Sequence, residues 1–90
     1  MIKLSSAKNV TVRSDRAVIL VSANPRRKVL NVTAGDFDVW VGQVDVRPDT
    51  EQNKIPAGTR GVFKDIQSEI WVIAGGENIG KISFSEEVEV

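Results

Sequence analysis

The 90 residues include no histidine, cysteine or tyrosine. This removes the general base that titrates near neutrality, the thiolate nucleophile and the usual zinc and iron ligands. A Ser-His-Asp triad cannot be built from what is left. Ser5, Ser6 and Lys8 could form a Ser–Lys pair, but they lie near a terminus, where chains fray. Asp36, Asp38, Asp45, Asp49 and Glu51 offer the carboxylates that glycoside hydrolysis needs in facing pairs. A domain of this size has little room for a sugar cleft beside its core, so these acids read as solvated groups on loops and strand edges. Their spacing does not follow an EF-hand loop. Gly75 to Lys81 matches the first seven positions of a phosphate-binding loop. Ile82 then stands where Ser or Thr must hold magnesium, and the following residues alternate like a strand where a helix must open. The expectation is a protein that is not an enzyme and uses no metal or cofactor.

Binding chemistry is better represented. Arg26-Arg27-Lys28 is the one basic cluster. It has no Phe or Trp nearby for base stacking, so nucleic acid is not the expected partner. A solvated loop end and a salt-bridging contact with an acidic protein are the two remaining readings. Trp40 lies on the strand face opposite Phe37, Val39 and Val41. It belongs either to a second buried face or to an exposed interface anchor, where Trp is enriched. Trp71, in a dense apolar run, reads as core. Asn9 and Asn31 open glycosylation sequons, which have no meaning without an export signal.

The elements that must position these groups are strands. Val and Ile number 22 against 10 for Leu, Met and Ala, and β-branched side chains suit a pleated surface better than a helix. Val10 and Val12 alternate with polar residues. Ala17 to Val21 is a continuous apolar run, as in a strand covered on both faces. Val29, Leu30 and Val32 follow, then the Asp36–Gly42 alternation. Ile70 to Ile73 is dense, and Ile82, Phe84, Val88 and Val90 keep a period of two. Turn residues separate the runs at Ser14-Asp15, Asn24-Pro25, Ala34-Gly35-Asp36, Pro56-Ala57-Gly58 and Gly75 to Asn78, the last reading as a hairpin loop. Residues 47–54 read as a long exposed loop. Val62, Ile66, Ile70 and Ile73 fall at helical spacing, but Trp71-Val72-Ile73 favours strand, turn, strand over residues 62–74. The expected fold is all-β: a small β-sandwich or jelly-roll-like barrel of about six to eight short, mostly antiparallel strands. It forms a single domain over 1–90, with 1–9 as a possible N-terminal arm reaching a neighbour, or the first 22 residues as an extra strand pair.

Length and charge bound the rest. A chain this short buries a modest core, and small domains gain stability by oligomerising or docking. The N-terminus has no apolar core of signal-peptide length, and the longest apolar run is far too short to span a membrane. A soluble protein made inside a cell, without membrane association, is expected. Net charge is zero but segregated along the chain. Residues 1–30 carry seven Lys/Arg against one Asp, 31–60 three against five acids, and 61–90 two against six. Either the strands interleave these charges in space, or the molecule is dipolar and meets neighbours of opposite sign.

Asn24-Pro25-Arg26-Arg27, Val29-Leu30-Asn31-Val32, Val39-Trp40-Val41-Gly42, Ile55-Pro56-Ala57-Gly58, Ile70 to Ala74 and Lys81 to Phe84 occur in that order. In this order the chain from Asn24 onward resembles small structural proteins of tailed-bacteriophage virions; residues 1–22 lie outside the likeness. The resemblance implies a β-sandwich or jelly-roll-like module on the virion surface, made in the host cytoplasm. Its implied role is capsid decoration (cement): binding the major capsid protein across subunit boundaries, with a homotrimer favoured. No catalytic residues come with it. The interface is expected at Asn24, Pro25, Arg26, Arg27, Lys28 and Trp40. A tail-fibre carbohydrate- or receptor-binding module, or a tail structural component, is the alternative, and a cellular β-sandwich adaptor is a third.

Overall fold

A computed structural model describes residues 2–4, 7–48 and 53–89. These form nine antiparallel strands: β1 Ile2–Leu4, β2 Lys8–Arg13, β3 Val18–Val21, β4 Arg27–Thr33, β5 Val39–Gly42, β6 Lys54–Ile55, β7 Arg60–Lys64, β8 Ile70–Ala74 and β9 Ile79–Glu89. They pack as two sheets, a β-sandwich and not a closed barrel. The larger sheet runs β1-β9-β4-β7, with β2 also on β9; the smaller runs β3-β8-β5-β6. Two strands, β1 and β6, are only three and two residues long, short enough to fall below what alternation in a sequence can register.

The core lies between the sheets. Val12, Leu30, Val32 and Ile82 face it from one side, and Leu20, Val39, Val41, Ile55, Ile70, Val72 and Ala74 from the other. Each fully buried Val or Leu contributes about 1.5–3 kcal/mol relative to exposure. The dense run Ile70–Ala74 is explained by its place: β8 is central in its sheet, paired with β3 through Val18↔Val72 and with β5 through Trp40↔Ile73. Residues 62–74 are indeed strand, turn and strand, with β7 and β8 in different sheets.

One expectation is corrected. The Gly75–Asn78 segment is not a hairpin loop. It carries the chain from β8 in one sheet to β9 in the other, with Gly75 N donating to Asp38 O and Asn78 Nδ2 to Gly75 O. Of the two readings for the N-terminal residues, the strand pair is the one formed by residues 2–4 and 8–9, which pair with β9 in the registers Ile2↔Glu89, Leu4↔Glu87, Lys8↔Phe84 and Asn9↔Ser83. Met1, Ser5 and Ser6 of those readings, and residues 49–52 of the expected long loop, lie outside the described residues.

Candidate docking surfaces

The basic cluster divides. Asn24 opens a turn with Pro25 at its second position, where the fixed φ of proline is pre-set. Asn24 O accepts from Arg27 N at 3.1 Å, and Asn24 Oδ1 accepts from Arg26 N at 3.0 Å. Pro25, Arg26 and Lys28 stand exposed and Asn24 is half-buried. Arg27 does not: its side chain is 0% exposed, which corrects its expected place on an exposed interface. A register shift between Arg27 and Val29 against β9 sets Arg27 opposite Val88, on the inner side of the sheet.

The guanidinium is held from three directions. Nη2 donates to Ser68 O at 2.9 Å, Ser22 O at 3.1 Å and Gln67 O at 3.4 Å. Nε lies 3.3 Å from Glu86 Oε2. Gln67 Nε2 returns a bond to Arg27 O at 2.8 Å, Gln67 O accepts from Asn24 N at 2.8 Å, and Glu89 N donates to Arg26 O at 2.7 Å. A buried charge is tolerated only when it is paired and fully hydrogen-bonded. Arg27 meets the first requirement through Glu86 and most of the second through Nη1 and Nη2, while Nε faces Glu86 by charge without a hydrogen bond; the group fastens the 22–28 turn, the 65–69 loop and the end of β9 to one another. It thereby holds the backbone from which Arg26 and Lys28 project. The turn was legible from Asn24-Pro25. Which of three adjacent cations turns inward was not, because the bulge that decides it has no local sequence signal.

Trp40 is also placed away from solvent. It is 7% exposed although it lies on the outer face of its sheet, so the buried-face reading holds and the exposed-anchor reading fails. Three neighbours cover it. Ile73 is beside it in register, Lys54 Nζ lies 5.6 Å from the ring centroid, and Gly75 leaves the space its ring fills. A Cβ on Gly75 would stand 2.7 Å from Trp40 Cζ3. Val46 folds back to within 3.3 Å of where a Cβ on Gly42 would be, so the segment after β5 covers part of the same face.

The outer face of the larger sheet is a second surface, one the sequence reading did not identify. Four of the six large apolar side chains exposed among the described residues share it: Ile2, Leu4, Val62 and Ile79. Its charges are ordered along β9. Lys81, with Arg13 and Arg60 in neighbouring strands, marks one end, and Glu87 and Glu89 mark the other. Between them Asn31, 5% exposed, accepts from Arg60 Nη2 at 2.7 Å and donates to Glu87 Oε2 at 3.4 Å. These groups, with Thr33, Ser83 and Ser85, line a shallow polar hollow of about 320 Å3. At the basic end Arg13 Nε donates to Asp15 Oδ1 at 2.8 Å, which holds the Asp15 carboxyl below the ordinary aspartate range.

No family model matches this chain, and no curated protein and no solved structure is significantly similar to it.

Proposed function

We propose that this chain is a structural docking module, and that the larger assembly is a phage capsid, a reading supported by the resemblance of its motif order from Asn24 onward to small virion structural proteins. On this reading it is a decoration protein that binds the outer shell and braces it by bridging capsid subunits. The observation that supports the reading is the Asn24–Lys28 end of the sandwich. There Arg26 and Lys28 stand exposed on a backbone that is held in place because Arg27 between them is tied inward.

The backbone that carries the two cations is pre-ordered, so contact with an acidic surface restricts only their side chains and more of the attraction is retained. Repetition over a shell then multiplies modest contacts into stable attachment. The glycan-binding alternative rested on an exposed Trp40, and the burial of that ring takes its anchor away.

The test is to strip decoration from purified virions of the source that makes this chain and add the purified protein back. Rebinding at a fixed copy number per shell, with a raised temperature of shell disruption, supports the reading. No binding to the shell overturns it.

A further inference from the structure

We propose that the outer face of the larger sheet is the contact between two copies of this chain, packed face to face. The two-fold axis lies in the interface and runs across the strands. The inference goes beyond the docking reading and uses a different surface from the Asn24–Lys28 end.

The charge order along β9 selects this axis. Rotation about it reverses strand direction and keeps β9 of one copy over β9 of the other. The strand spans Ile79–Glu89 with Phe84 at its midpoint. Ser83 of one copy then faces Ser85 of its partner, Lys81 faces Glu87, and Ile79 faces Glu89. Arg13, in register with Ile79, comes to the same end as the partner copy's Glu89. Ile2, in register with Glu89 and in the same lane beside β9 as Arg13, comes over the partner copy's Arg13, where its side chain can pack only on the aliphatic stem. The other in-plane two-fold, along the strands, would set Glu87 and Glu89 against their own copies, and like charges facing each other are unfavourable. Asp15 already holds Arg13, and Lys64 sits in register with Val29 near the acidic end. The complementarity therefore rests chiefly on Lys81 and Glu87. Asn31 positions Glu87 from within the sheet.

The size of the face agrees with a second copy as its occupant. Its strands hold 32 residues. At about 3.4 Å along and about 4.8 Å across the sheet per residue, they cover on the order of 500 Å2 per copy. Two copies bury on the order of 1,000 Å2, which reaches the lower bound for a specific interface and fits a weak dimer. Polar Ser, Thr and Asn between the exposed Ile2, Leu4, Val62 and Ile79 match the mixed character of such a contact.

Sedimentation equilibrium of the full chain over about 10–300 μM, a range bracketing micromolar association, tests this directly. The expected mass is twice the 9.9 kDa of one chain. Lys81→Glu and Glu87→Lys are each expected to weaken association about tenfold or more, and the combined variant to restore it, because the pair is then exchanged. Val62→Lys is expected to weaken it as well, and Arg26→Glu to leave it unchanged. A monomer throughout, a trimer, or a dimer indifferent to the single reversals overturns the proposal. So does a combined variant that stays monomeric while its circular dichroism is native.

Discussion

Nε of Arg27 lies 3.3 Å from Oε2 of Glu86 inside the sandwich, where the Arg27 side chain is wholly shielded from water. The pair joins the first strand after the Asn24-Pro25 turn to the C-terminal strand, 59 positions apart in sequence. It ties the turn, the 65–69 loop and β9 together, and so holds the backbone that carries the exposed Arg26 and Lys28 on either side of Arg27.

Removing Arg27 takes away the buried charge that Glu86 faces and the donor that three carbonyls share. Arg27→Ala is therefore expected to destabilise the fold by about 3–5 kcal/mol, with the carbonyls of Ser22, Gln67 and Ser68 losing their donor. Arg26→Ala, one residue away and exposed, is expected within about 0.5 kcal/mol of the parent. Urea denaturation of the two variants checks the contrast. Equal stability would place Arg27 on the surface.

Gly75 is fixed by the Trp40 ring. Gly75→Ala sets a methyl 2.7 Å from Cζ3, so the ring or the β8–β9 connection must shift. The expected cost is about 1–3 kcal/mol, with a change in tryptophan emission as Trp40 meets water. Gly58→Ala meets no atom within 4 Å, but its φ of +75° disfavours a side chain, and a loss of about 1 kcal/mol without any change in emission is expected. Thermal melts followed by fluorescence distinguish the two.

Asp15 gives a pH signature at the basic end of the larger sheet. Its carboxyl is held low first by the hydrogen bond from Arg13, and the shift is opposed by partial desolvation. A depressed folded-state pKa means that the Arg13–Asp15 contact is complete above the ordinary aspartate range and is lost as pH falls through the lowered value. A carbon-detected NMR titration should place Asp15 below its value in Arg13→Ala. Both groups are exposed, so no effect on global stability is expected.

The all-β class and several strand positions were legible because burial imposes a period of two on residues such as Val10, Val12, Ile82 and Phe84. Pairing was not. Gly75–Asn78 has hairpin composition, yet it crosses between sheets, because Ile70–Ala74 finds its partners in Val18–Val21 and Val39–Gly42. Such choices are made by distant surfaces competing for the same edge, and no local window contains them. The same holds at the candidate surfaces. Asn24-Pro25 announces a turn by its own chemistry, whereas the inward course of Arg27 depends on a register shift against Val88 and Glu87. The Lys81–Glu87 charge order was written along β9 throughout. It acquires meaning only once Ile79, Lys81, Ser83, Ser85, Glu87 and Glu89 are known to share one outward face.

The most direct measurement of the docking account is a binding curve of the chain on stripped capsids, compared with the Arg26→Glu/Lys28→Glu variant. Both substitutions are at exposed positions and are expected to leave the melting temperature nearly unchanged. Reversing two ordered cations at an acidic contact is expected to weaken occupancy about a hundredfold or more at low salt, with the difference shrinking as salt rises. Equal occupancy by the two proteins at every salt concentration would contradict the account and remove the Asn24–Lys28 end from the interface.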